Sequence, residues 1–323
     1  MRVQRITSLD GPEGLQLTEI PAPPARGRLI IDVAAAGVSY PDVLMSRGLY
    51  QARPELPFVP GVEVEVAGTV RDAPADCGFA PGDRVMAVTT LGGFAEVAAA
   101  PAALTCALPQ QFSFEQGAGF LLNYHTAHFA LTRRAALRPG ETVVIHGAAG
   151  GVGTAAIQVA RYLGAEVVAV TSSAPKAAVA RTAGAQTVVD SGADWPSLLR
   201  SLNNGQGADV IVDPVGGDRF DESLRCLAPG GRLVVVGFTE GRIPTVAANR
   251  LLLRNISVVG AAWGAWLRGD SSLFATTAAA LQPMIESGGA RPIVGATFPL
   301  AEAAAALRLI EERRTTGKVV VIV

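Results

Sequence analysis

Glu-Thr-Val-Val-Ile-His-Gly-Ala-Ala-Gly-Gly-Val-Gly-Thr-Ala-Ala-Ile-Gln-Val-Ala-Arg-Tyr-Leu-Gly-Ala-Glu-Val-Val-Ala-Val-Thr-Ser-Ser, residues 141–173, decides the fold. Val143 to Ile145 is a β-branched apolar run, the pattern of a strand buried on both faces. Glycines follow at once. Ile157, Ala160, Tyr162 and Leu163 then fall at roughly helical spacing, and Gly164 closes the run as a helix C-cap does. Val167 to Val170 is a second buried strand. The segment predicts one βαβ unit whose turn carries Ala148-x-Gly150-x-x-Gly153.

A glycine triplet gains meaning from this context. Gly150 and Gly151 have no Cβ, so a diphosphate can approach the backbone of Ala149, Gly150, Gly151 and Val152. Gly153 lets the helix pack on the strand, and the first-turn N–H groups face the anion. The competing reading is a plain tight turn. NAD-binding units place an acid at the end of the second strand, about twenty residues beyond the turn, to hold the ribose. Here that place reads Thr171-Ser-Ser-Ala-Pro-Lys176, without an acid. Ser172, Ser173 and Lys176 suit a 2′-phosphate instead, so the expected cofactor is NADPH. Lys176 stands out because Lys318 is the only other lysine. The bland alternative is a solvated helix start.

At 323 residues the length suggests two domains, and 49% hydrophobic against 17% charged residues can bury large cores. A net charge of -1 gives no electrostatic case for nucleic acid or anionic membrane as the main partner. The N-terminus lacks a signal-peptide apolar run, and Arg161, Glu166 and Pro283 break apolar stretches before spanning length. A cytoplasmic protein is expected. Cys77, Cys106 and Cys226 are odd in number and far apart, with no Cys-x-x-Cys.

Residues 1–122 read as short strands between Gly/Pro turns, a small barrel or distorted sandwich. Glu63 to Val70 alternates charged and apolar residues, as a half-exposed strand does. From Asn123 helices alternate with strands, six in all, which predicts a doubly wound parallel sheet over 123–260. The elements of 261–323 are too many to cap that sheet, and most are expected to return to the first domain.

The chain resembles the zinc-independent medium-chain dehydrogenases/reductases of the quinone oxidoreductase (zeta-crystallin) group. The resemblance runs nearly end to end. It rests on Gly37-Val-Ser-Tyr-Pro-Asp42, Arg47-Gly-Leu-Tyr50, Pro57-Phe-Val-Pro-Gly61 with Glu63, Gly82-Asp-Arg-Val85 and Gly92-Gly-Phe-Ala-Glu96. Further carriers are His125-Thr-Ala127, His146 to Gly153, Ala228-Pro-Gly-Gly-Arg-Leu233 and Gly317-Lys-Val319. It implies a GroES-like catalytic domain enclosing a Rossmann domain, with the active site in the cleft between them. It also implies NADPH-dependent reduction of a quinone, enone or similar conjugated carbonyl, commonly by a homodimer. An enoyl-thioester reductase of the same superfamily and a cofactor-binding protein with a non-catalytic task are the alternatives.

Several roles follow from the resemblance. Thr126 lies near the nicotinamide, Val215 and Phe238 line the cofactor, and Lys318 joins the cofactor-binding set. Tyr50 is a proton donor or a wall of the substrate site. Three departures stand beside these. Ser39 replaces the usual Asn as a candidate catalytic hydrogen-bond donor, and Ser191 replaces a Tyr near the adenosine. Two extra residues fall around Glu63 to Val66. The zinc-dependent branch needs a Cys and a His-Glu pair where this chain has Ser39 and Val62-Glu63, so no metal is expected. His125, His128 and His146 are open to acid–base or structural readings, with structural favoured. Asp42 reads as a helix cap. Trp263 and Trp266 read equally as plug or pocket wall.

Overall fold

Gly and Pro punctuate the start of the chain, so its strands are short. The computed structural model describes residues 1–61 and 64–323. Its first strands are β1 (Arg2–Ile6), β2 (Leu15–Glu19), β3 (Leu29–Val38), β4 (Val64–Asp72), β5 (Arg84–Thr89), β6 (Val97–Ala100) and β7 (Thr105–Ala107). β1 and β2 make an antiparallel ribbon. β4 lies between β3 and β5, antiparallel to both.

That central place corrects one expectation. Alternation predicted a half-exposed strand, yet Glu65, Val66 and Ala67 are all fully buried. A carboxylate survives there because Lys318 pairs with it, as described below. Glu63, and the Val62-Glu63 comparison with the zinc-dependent branch, lie outside the described residues.

The second compact unit spans Asn123–Arg291. The helix Leu121–His128 runs on as wider π turns over Phe129–Arg134. The sheet follows, with β8 (Thr142–Ile145), β9 (Glu166–Thr171), β10 (Thr187–Asp190), β11 (Ala208–Asp213), β12 (Leu227–Val235) and β13 (Ser257–Gly260). All six are parallel in the order β10-β9-β8-β11-β12-β13. Chain direction across the sheet reverses between β8 and β11, the switch point where such sheets bind ligands. Val144, Val168, Val170, Ile211 and Leu233 are buried along it, as expected of strands covered on both faces.

The helices Trp263–Gly269 and Ser272–Glu286 stay with this unit. The chain rejoins its first unit at Pro292, not at 261. Packing explains the later return. Phe274 and Trp263 close on His125, and Gln158 exchanges hydrogen bonds with the backbone of Arg291 at 2.9 and 2.8 Å.

Pro292–Val323 completes the first unit with β14 (Val294–Pro299), the helix Ala303–Glu311 and β15 (Lys318–Ile322). The resulting sheet runs β14-β15-β3-β4-β5-β7, with β6 also paired to β3. Ala303, Ala306 and Leu307 share one helix face and bury it against Leu29, Ile31, Val319 and Val321. Among the described residues no helix is long and apolar enough to cross a membrane.

Candidate active site

β8 delivers the chain to Gly147, whose φ of 57° turns it sharply. Gly150 is extended and caps the helix Gly151–Tyr162. A Cβ on Gly153 would lie 2.3 Å from the Gly147 carbonyl oxygen, so only glycine lets this helix sit on its turn. On Gly150 a Cβ would meet nothing closer than 3.4 Å. Protein packing therefore does not demand a glycine at Gly150, and its bare backbone stays open to an anion. Ala148 and Ala149 are buried beneath, and Val152 lies in the first helical turn.

The end of β9 carries the polar residues that the sequence marked. Ser173 is the extended N-cap of the helix Ala174–Thr182, which sends Lys176 back toward the strand. Lys176 Nζ donates to Ser172 Oγ at 3.2 Å. The neighbouring strand end joins them, since Ser191 N–H donates to the Thr171 carbonyl at 2.7 Å. Ser191 Oγ in turn accepts from Arg219 Nη2 at 3.3 Å. Sequence reasoning missed Arg219. It arrives from a different crossover, and no local motif marks it.

Asp213, buried at the end of β11, accepts from Val215 N–H at 2.8 Å and Gly216 N–H at 3.0 Å. The turn it clamps bonds to the loop after β12, through Thr239 N–H to Pro214 and Glu240 N–H to Val215. Val215 and Phe238 thus share one wall. A Cβ on Gly147 would come within 3.3 Å of Val215, which places that wall beside the glycine turn. Asn123 reaches Gly151 from the helix that also bears Thr126.

The histidines are structural. His125 is fully buried between Trp263 and Phe274, and burial holds it down at about 3. His146 is buried with Nε2 2.8 Å from Ser223 Oγ, and burial lowers it to about 4. His128 is shifted down by the same cause. In each case burial favours the neutral ring. Trp263 is core, whereas Trp266 is partly exposed and lies on Phe129 beneath Arg133 and Arg134.

Ser39 and Lys318 belong to the first unit. Lys318, 4% exposed, pairs with the fully buried Glu65 at 2.7 Å and donates to Ser39 Oγ at 3.0 Å. Glu65 also accepts from Leu122 N–H at 2.7 Å. Burial pushes its carboxyl up against the opposing pull of Lys318. Lys318 is therefore engaged inside its own unit, by Glu65 and Ser39. Tyr50 lays its ring on Ile6, Met45 and Phe58.

Asp42 caps the helix Tyr40–Ser46 by accepting from Ser39 N–H at 2.9 Å, as its position suggested. Burial raises its carboxyl from 3.8 to about 7. The folded protein keeps a proton that the unfolded chain has already lost. Stability from this site is full below pH ~4 and is lost as pH rises toward 7. The stability of the unaltered protein minus that of Asp42→Asn should fall steadily as pH rises over that range in pH-dependent denaturation. A flat or growing difference contradicts the assignment.

Family models match both parts of the chain. The alcohol dehydrogenase GroES-like domain covers residues 25–110, and the zinc-binding dehydrogenase model covers 151–281. Quinone oxidoreductase-like protein 2 of Bos taurus is 36% identical over 94% of this chain and 87% of its own. The chain belongs to the quinone oxidoreductase family. It lies within the medium-chain dehydrogenase/reductase superfamily and pairs a GroES-like domain with a Rossmann-type sheet. Two solved members of the family superpose over the full length of both chains. The Escherichia coli quinone oxidoreductase complexed with NADPH gives a TM-score of 0.90 at 30% identity. The Thermus thermophilus quinone oxidoreductase, also solved in complex with NADPH, gives 0.85 at 36%.

Proposed function

We propose that the protein is an NADPH-dependent oxidoreductase that passes hydride to a quinone or other conjugated carbonyl, without metal. The observation that carries this is the Ser172–Lys176 pair at the end of β9, beside a glycine turn that leaves its backbone open. A carboxylate there would repel a 2′-phosphate; a hydroxyl and an ammonium bind it. Family membership and the NADPH complexes of related enzymes agree with this reading.

When bound, the reduced nicotinamide supplies the hydride. The protein contributes position and charge. Ala149, Gly150, Gly151 and Val152 would offer backbone to the diphosphate, Val215 and Phe238 would wall the cofactor, and Thr126 would serve its nicotinamide end, as the family resemblance implies. Hydride addition leaves an enolate or hydroquinone oxyanion on the acceptor. Ser39 is the proposed donor to it. Its oxygen is occupied by the Lys318 ammonium, which leaves its own proton to point elsewhere. Tyr50 walls the acceptor site, a role its packed ring supports.

The ligand set argues against zinc. Catalytic zinc needs three good ligands and an open position. The first unit has no histidine at all, and burial raises the Cys106 thiol to about 11. A homodimer is proposed through the outer edge of β13. Leu252 (75% exposed), Leu253 (77%) and Ile243 (68%) are solvent-facing in the preceding segment, and a second copy would cover them.

The test follows NADPH oxidation with a panel of quinones and enones and with a crotonyl thioester, in the presence and absence of chelator. Turnover of a quinone or enone, unchanged by chelator, is expected. Consumption of the thioester alone would assign the enoyl-thioester reductase activity instead, and activity lost with chelated zinc would overturn the metal-free chemistry.

A further inference from the structure

We infer that Arg219 is the second cation of the 2′-phosphate site and a determinant of NADPH selectivity. This rests on the NADPH reading above and extends it to a residue from another crossover.

Charge is the first argument. A phosphate monoester carries about −1.5 to −2 near pH 7. Lys176 balances only part of that. Gly216 and Gly217, both at left-handed φ of 70° and 67°, turn the chain back after β11 and aim Arg219 at the end of β10. Its guanidinium meets Ser191 Oγ, and Ser191 is bonded to Thr171, the residue before Ser172. Ser191 therefore lies about one strand spacing, ~4.8 Å, from the strand end that carries the Ser172–Lys176 pair, and Arg219 reaches that neighbouring strand end through it.

Among the described residues Arg219 also makes no salt bridge, its hydrogen bond being to a neutral hydroxyl. The acids that flank it in the chain and the one at the end of β10 are committed elsewhere. Asp218 pairs with Arg242, and Asp221 pairs with Arg250 at 3.0 Å. Asp190 turns its carboxylate onto Gly192 N–H at 2.7 Å. Among the described residues the one hydrogen-bond partner of Arg219 is the neutral Ser191 hydroxyl. A half-buried guanidinium held by a hydroxyl keeps its remaining donors for an anion, and its planar fork fits phosphate oxygens. Ser191 then aims the guanidinium, a task that a small hydroxyl performs without blocking the site as a ring would.

Titration of the full-length protein with NADPH and with NADH, read by nicotinamide fluorescence, tests this. Arg219→Leu should weaken NADPH roughly tenfold or more and leave NADH unchanged. Arg219→Lys should recover part of the loss. The rise in NADPH affinity as pH passes the phosphate's second ionisation, near pH ~6, should be blunted in Arg219→Leu. Equal weakening of both nucleotides would overturn the proposal by making Arg219 an adenine contact or a fold element. Unchanged NADPH affinity would overturn it by leaving Arg219 a prop for Ser191. Should the unaltered protein show no preference for NADPH, the parent reading fails. Preference retained in Arg219→Leu sinks this inference alone.

Discussion

Lys176→Ala is expected to weaken NADPH binding by roughly ten- to a hundredfold while hardly changing NADH. The ammonium lies 3.2 Å from Ser172 Oγ, at the end of the second strand of the parallel sheet. In dinucleotide sites that strand end discriminates the two nucleotides, because the 2′ substituent of the adenosine ribose falls there. A charge-assisted hydrogen bond is worth about 1.5–3 kcal/mol, and the range in affinity follows from it. Ser172→Ala and Ser173→Ala remove neutral partners and should cost less. Ser172→Asp should move preference toward NADH, since a carboxylate repels phosphate and accepts from ribose hydroxyls. Fluorescence titration reads all four variants. Equal losses for both nucleotides in Lys176→Ala would place Lys176 outside the phosphate site.

The largest loss of stability is expected from Lys318→Met. It leaves Glu65, fully buried on a central strand, without its cation. Removing one partner of a buried pair costs about 3–5 kcal/mol, because the remaining charge is uncompensated. The double variant Lys318→Met with Glu65→Gln should recover much of that loss, since no charge is then stranded. Tryptophan fluorescence is unsuited to this measurement, because Trp195, Trp263 and Trp266 all lie in the second unit. Hydrogen exchange along β3, β4 and β15 reports the first unit directly. Protection in Lys318→Met equal to that of the unaltered protein would contradict the assignment.

These two predictions differ in how legible their residues were. The second unit could be read strand by strand because its periods are unambiguous. β-branched runs alternate with helical spacing, and glycines punctuate them. The glycine turn and Lys176 belong to that local grammar. Glu65 does not. Its alternation with Val64 and Val66 reads as a half-exposed strand, and only the pairing of β4 with β3 and β5 makes it internal. Lys318 was marked by rarity and motif, but its partner stands 253 positions earlier in the chain. The return at Pro292 was equally hidden. Amphipathic helices such as Ser272–Glu286 show that they bury a face, not which core receives it. Arg219 required the three-dimensional meeting of β10 with the crossover after β11.

The most direct measurement is equilibrium titration of the unaltered protein with NADPH and with NADH under one buffer. The account predicts that NADPH binds tighter by roughly tenfold or more, because Ser172 and Lys176 meet a phosphate that NADH lacks. Equal affinity for the two nucleotides, or tighter NADH, would contradict it.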